Sequence, residues 1–317
     1  MKPDDTAALV KLGELSEKRG ELDPARRAYD RALIIDPANI EVLLKLSAIE
    51  TKIGRFGKAE RHCEEALRLA KTPEDRYRIY DELATYQEIR GQQKRALVTT
   101  ERMLTEADAW LPPLQAQFVR LSTLDRYVQA GQTERAFSLV DSIGGLIAPP
   151  LDMLAKIGNV KIYLALEQTD VAAAALTELE QGVKAMQMHV LDDFVWEKKG
   201  DICLIEGDYE GAAQNFNERL VIDPSNTAIY SKIGKSQRLL GRYEEARESI
   251  EKRLKTHPMD PKAHYEMALV YADTGDMSKA LEHLRKALEV WQEADPDFKP
   301  AKEASDKLKE WQSATSM

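Results

Sequence analysis

The chain has 317 residues, of which 43% are hydrophobic, 31% charged and only 7% aromatic, and it carries a formal net charge of −9 with a pI of about 5.3. That balance argues against a broad basic surface for nucleic acid, and no apolar run approaches the eighteen residues that a membrane-spanning helix needs. Two cysteines, Cys63 and Cys203, have no metal-ligand spacing and read as small buried hydrophobes in a reducing compartment, so a cytoplasmic chain is expected.

Taken in chain order, residues 6–39 set a pattern. Leu9, Leu12 and Ser16 recur at three- and four-residue steps, which predicts one apolar face of a first helix. Gly20 ends that helix. Asp23-Pro24 reads as an N-cap followed by proline at the first helical position, and Ala25, Tyr29 and Ala32 mark the face of a second helix. Pro37 stops it, and Asn39 stands where a side-chain acceptor would cap the next helix. The unit returns at 40–73 with Leu43, Gly54 and Ala59, and at 77–110 with Tyr80, Gly91 and Ala96. Residues 117–150 follow Pro112-Pro113 with a long first helix, then Gly131 and Ala136. The next unit, 151–192, opens after Pro149-Pro150. It keeps an apolar helix at Leu154, Ile157 and Ile162 and an alanine run from Ala172 to Ala175, but has no turn glycine.

The period then becomes regular again. Units at 193–226, 227–260 and 261–294 carry Trp196, Gly207, Ala212 and Phe216, then Tyr230, Gly241, Ala246 and Ile250, then Gly275, Ala280 and Leu284. Asn226, after Asp223-Pro224, is the counterpart of Asn39. Residues 298–317 place Phe298, Ala301, Ala304, Leu308 and Trp311 at steps of three and four, which predicts an amphipathic capping helix and a short tail.

Seven glycines, Gly20, Gly54, Gly91, Gly131, Gly207, Gly241 and Gly275, are each followed by alanine five residues later, at spacings of 34, 37, 40, 76, 34 and 34. The 76-residue step is two periods with one marker lost, so about eight helix pairs fill the chain. Gly13, Gly200, Gly234 and Ala268 stand seven residues before their turn glycines, small enough to let paired helices approach closely.

This alternation of large and small residues over a 34-residue unit resembles the tetratricopeptide repeat family across residues 6–294. The resemblance implies an all-α fold, a right-handed α-solenoid of stacked antiparallel helix pairs. No domain boundary is visible in 1–297. It also implies a concave groove lined by the first helices, a surface for another protein.

Carrying the family's groove positions onto this chain gives Arg78, Asp81 and Thr85 in the third repeat, and Phe118, Leu121, Asp125 and Val128 in the fourth. The sixth contributes Phe194, Glu197, Asp201 and Leu204, and the seventh Ser231, Lys235 and Arg238. Apolar side chains left wet in a groove are costly, so Phe118, Leu121, Val128 and Phe194 are expected to meet a partner segment. The longer middle helices could instead turn the same residues into the core. The family's chaperone-tail clamp is not matched: its two places in the first repeat hold Val10 and Glu14.

Nothing here announces chemistry. There is no phosphate loop, nucleophile elbow, zinc helix or calcium loop. His62, His189, His257, His264 and His283 are scattered, with His264 at a packing position, and Asp192-Asp193 are helix neighbours that face differently. An enzyme would need a pocket of convergent polar groups near 151–192. No catalytic residue, cofactor or metal is expected.

Residues 141–210 hold 13 acidic and 5 basic residues, whereas 227–294 hold 11 and 12. An acidic centre beside apolar groove residues favours a basic or amphipathic protein segment and disfavours nucleic acid. The expected role is a non-enzymatic scaffold or adaptor. The alternative is the sensory or regulatory region of a larger signalling protein.

Overall fold

A computed structural model describes residues 5–146, 155–187 and 189–315, and among them it contains helices, short 3-10 turns and no strand. Pro149, Pro150 and Leu154 lie outside the described residues. Three helix pairs come first: α1 (Thr6–Lys18) with α2 (Leu22–Ile35), α3 (Ile40–Lys52) with α4 (Phe56–Leu69), and α5 (Pro73–Ile89) with α6 (Gln93–Trp110). The middle holds α7 (Pro113–Ser122), α8 (Leu124–Gln129) and α9 (Thr133–Leu146), then α10 (Ala155–Ala165) with α11 (Thr169–Ala185) and α12 (Asp192–Glu206) with α13 (Tyr209–Ile222). α14 (Ile229–Leu239) and α15 (Tyr243–Thr256) follow, then α16 (Pro261–Asp273), α17 (Met277–Val290) and the terminal α18 (Lys299–Thr315). The fold is an all-α solenoid of helix pairs joined by turns of two or three residues, which make each pair antiparallel.

The turns explain the glycine signal. All seven marker glycines have φ between +74° and +84°, the left-handed region where a Cβ is penalised. At six of them the next residue donates its N–H to the carbonyl five positions back, as Glu21 does to Ser16 at 2.9 Å and Gln132 to Tyr127 at 2.7 Å. That is the Schellman closure of a helix C-terminus. The unit without a marker keeps the same closure: Gln168 N–H donates to the Tyr163 carbonyl at 2.9 Å, and Glu167 takes the left-handed place at φ +58°. Ala172 lies five residues beyond it and is fully buried, so the lost marker is Glu167.

The small residues pack as the spacing requires, with one change of partner. The seven alanines after the glycines are all 0% exposed. A Cβ on Gly13 would meet the Tyr29 ring at 2.3 Å, and one on Gly200 would meet the Phe216 ring at 2.4 Å. Gly13 and Gly200 therefore each seat an aromatic ring of the second helix.

Three local expectations change. α2 starts at Leu22 with Glu21 at its N-cap, so Asp23 and Pro24 lie inside the first turn. Asn39 does cap α3, accepting from Val42 N–H at 3.1 Å, but Asn226 accepts from Ala228 before α14 begins, closing a turn rather than capping the helix. The long first helix expected after Pro113 is interrupted at Thr123, whose hydroxyl donates to the Arg120 carbonyl at 3.0 Å.

Contacts gather the helices into two compact units, Met1–Ala109 with Ile250–Met317, and Trp110–Ser249. Sequence periodicity alone shows one uninterrupted array. Within the first unit, residues far apart in sequence meet. A Cβ on Gly54 would lie 2.9 Å from Met259, and one on Gly91 would lie 2.6 Å from Phe298. Met259 N–H donates to the Lys52 carbonyl at 3.1 Å, and Asp295 N–H to the Gly91 carbonyl at 3.0 Å. The capping helix is present, with Ala304 and Trp311 buried in a cluster that also holds Phe56, Ile89, Leu284 and Phe298. The second unit has its own core, built on Val160, Leu176, Leu179, Val183, Val195 and Ile202.

Candidate functional site

Most of the expected contact residues fall in the second unit, on first helices. Phe118 on α7 and Phe194 on α12, which lie two repeats apart in sequence, both pack half-buried against the extended Val160–Ile202 core. Each keeps part of its ring at the surface because the three- and four-residue steps of its helix leave it at the edge of the apolar face. Val128 on α8 and Leu204 on α12 are likewise half-buried. Leu121 is not part of this surface. It is 1% exposed, and its Cδ2 would come within 3.2 Å of a Cβ on Gly158, so it belongs to the core.

The charged residues of the same face are spoken for. Lys198 Nζ lies 3.2 Å from Glu197 and 2.8 Å from Asp201, and Lys232 of the next repeat reaches both carboxylates at 2.7 Å. Burial by itself would raise the Glu197 carboxyl, but the charges and hydrogen bonds of Lys232 and Lys198 override it and hold it at about 2. Burial would lower the Lys198 ammonium, and Asp201 and Glu197 instead hold it up. Two cations and two anions thus form a closed quartet of zero net charge. Asp125 is likewise bound to Lys161 at 2.9 Å. The acidic character read from 141–210 is therefore partly cancelled by Lys232, by Arg219 on Asp193 and by Arg242 on Glu210, all from outside that stretch.

Lys235 and Arg238 lie on α14, half-exposed, and add positive charge beside the quartet. Arg78 and Asp81 lie on α5 in the first unit and are exposed there.

The arrangement offers binding chemistry. Asp192 and Asp193 diverge, the first toward His189 at 3.1 Å and the second toward Arg219 at 3.2 Å. His264 shares a 2.9 Å Nδ1–Nδ1 contact with His283 and its Nε2 lies 2.8 Å from the Pro258 carbonyl, which is the packing position expected of it. Among the described residues no three His, Cys, Asp or Glu side chains converge as metal ligands, and no helix is long and apolar enough to cross a membrane. Cys63 is buried beside Ser47 and Cys203 is half-buried, both as free thiols. Sequence reasoning missed Lys232 and Lys161, whose partners lie 31 to 36 residues away, about one repeat, and it missed an apolar cleft of about 230 Å³ lined by Leu176, Lys199, Ile202 and Cys203. A lysine recurring one period after a carboxylate is the signal that could have found the ion pairs.

The comparisons agree with this architecture. Residues 232–297 match the family model of the tetratricopeptide repeat. The chain is 34% identical over 82 residues to the "Tetratricopeptide repeat and J domain-containing co-chaperone DNJ1" of Cryptococcus neoformans, covering 26% of this chain and 16% of that protein. It is 29% identical over 160 residues to "Sperm-associated antigen 1" of Rattus norvegicus, covering 50% of this chain and 17% of the relative. This chain thus spans about a sixth of the length of these two curated relatives. Among solved structures, a chain of the "APC/C hetero-tetramer Cut9-Hcn1" superposes with a TM-score of 0.51 at 16% identity, covering 98% of this chain and 57% of that one, a likeness of fold. Seven left-handed turn glycines on a helix-pair solenoid, with a family match in the regular C-terminal repeats, define the class. Residues 232–297 carry the tetratricopeptide repeat, and the described helix pairs before them close with the same left-handed turn.

Proposed function

We propose that the protein is a non-enzymatic scaffold or adaptor that holds an amphipathic segment of a partner protein against the first helices of its second unit. Repeat proteins of this type generally mediate protein–protein interactions. The observation that carries the reading is the pair Phe118 and Phe194, two partly exposed rings on one apolar core, flanked by a neutral ion quartet. Aromatic anchors at the centre of a face give most of the affinity of such contacts, and a satisfied ionic rim excludes the wrong charge more than it attracts the right one. The remaining excess of acid in 141–210 favours a partner segment that is basic outside its apolar anchors.

Selection from a displayed peptide library tests this. Wild-type chain is expected to enrich amphipathic segments with lysine or arginine, and a Phe118→Glu, Phe194→Glu variant of unchanged helicity is expected to lose them. Enrichment of acidic segments, or of the same segments by both proteins, would sink the proposal. A second reading draws on the small share of each curated relative that this chain spans: the repeats serve as the binding region of a larger protein, as in a relative whose name includes a J domain.

A further inference from the structure

The seven turn glycines adopt one conformation, yet they are not equally covered. Gly131, Gly241 and Gly275 have nothing within 4 Å of a Cβ position and Gly207 has only the hydroxyl of Tyr209, whereas Gly20 meets Lys255 at 3.4 Å, Gly54 meets Met259 at 2.9 Å and Gly91 is covered by Phe298 and Ala294 at 2.6 and 2.8 Å. Cover is therefore not a property of the turn itself. Among the three covered turns, Gly91 is the one with a basic residue both just before it, Arg90, and three residues after it, Lys94.

Those residues hold the loop that follows α17. Arg90, buried between the rings of Phe56 at 5.0 Å and Tyr86 at 5.8 Å, reaches Glu293 at 3.0 Å. Gln92 donates to Glu293 at 3.2 Å, and Lys94 binds Asp295 through its N–H and Asp297 through its ammonium, each at 2.8 Å. Asp295 N–H returns a bond to the Gly91 carbonyl, and Phe298 closes over the glycine. Three acidic side chains and one aromatic ring of an eight-residue loop thus match a basic, aromatic-floored turn. Glu293 and Asp297 remain 61% and 68% exposed, so their ion pairs are screened and exchangeable.

We propose that the turn of the third repeat is a recognition site for an acidic loop ending in an aromatic residue, and that residues 291–298 fill it in cis. A partner segment of the same chemistry then binds only by displacing them, against an effective cis concentration in the millimolar range. This surface belongs to the first unit, and Phe118 and Phe194 to the second.

The test uses full-length isotope-labelled protein and a synthetic peptide of residues 292–300, followed by NMR at the Gly91 and Lys94 amides. A Glu293→Lys, Phe298→Ala variant, whose cis loop is weakened, is expected to bind the peptide at least tenfold more tightly than wild type. Adding Arg90→Ala is expected to abolish that binding. Equal response of wild type and variant, or binding that survives Arg90→Ala, would overturn the proposal. So would a dimer in light scattering that Glu293→Lys dissolves, since a second copy would then fill the site. Should the double variant lose its folded spectrum, Asp295→Ala with Asp297→Ala weakens the loop while keeping the Phe298 packing, and the same outcomes apply.

Discussion

Position 13 and position 167 show how much one backbone or side-chain atom decides here. Gly13→Ala drives a methyl into the Tyr29 ring, which is itself 0% exposed and cannot retreat, so it should cost about 1–3 kcal/mol in denaturant unfolding. Glu167→Gly should do the opposite. It relieves a left-handed φ of +58° that a side chain disfavours, and is expected to stabilise by about 1 kcal/mol, offset in part by greater freedom of the unfolded chain. Raised stability after Gly13→Ala or lowered stability after Glu167→Gly would contradict the turn register.

Glu82 is a residue with a pH signature. Burial first, and Asp81 next, push its carboxyl up to about 7 against the pull of Lys52. The native state therefore holds a proton that the unfolded state releases above roughly pH 4.5, and its contribution to stability falls as pH rises through 7. Glu82→Gln removes this dependence, so it should match wild type near pH 4.5 and exceed it by about 1–3 kcal/mol at pH 8. His283 runs the other way. Burial, then His264 and Lys286, lower it to about 4, so its neutral form stabilises the fold above about pH 6.5 and that stability is lost as pH falls toward 4. Thermal melts across pH 4 to 8 on the Glu82→Gln variant and wild type separate the two trends.

Among elements, helix pairs were the most legible feature of the sequence. Every turn glycine and every alanine partner followed from steric need: the glycine from a left-handed φ, the alanine from close helix approach. What escaped was whatever depends on partners a repeat or more away. The break at Thr123, the burial of Leu121, the replacement of a glycine by Glu167 and the Lys232 bridge have no local signature, since the residues involved are common on any helix. Phe118 and Phe194 came from the groove positions that the family resemblance implies, and both pack on the Val160–Ile202 core, while the neutralisation of Glu197 and Asp201 by Lys198 and Lys232 was not legible. Lys232→Ala leaves those two carboxylates with Lys198 alone, and is expected to cost about 1–2 kcal/mol, recovered in part by the further change Glu197→Gln. A double-mutant cycle with no coupling would remove the quartet from the account.

At the scale of the whole molecule, nearest-neighbour stacking is the usual rule for repeat arrays, with stability passed only between adjacent units. The first compact unit departs from that rule, because residues 255–298 rest on the turns of the first three repeats. Removing residues 291–317 should therefore speed amide exchange at Gly91 and Lys94 as much as in α17, although some two hundred residues of sequence separate them. Exchange raised only in α16 and α17 would restore the simple array. The central functional claim, a partner segment anchored on Phe118 and Phe194, is tested most directly by isothermal titration of the best selected peptide against wild type and a Phe118→Ala, Phe194→Ala variant. The account predicts at least a tenfold loss of affinity with helicity unchanged, about 1.4 kcal/mol or more. Equal affinity of the two proteins would place the binding surface elsewhere and contradict it.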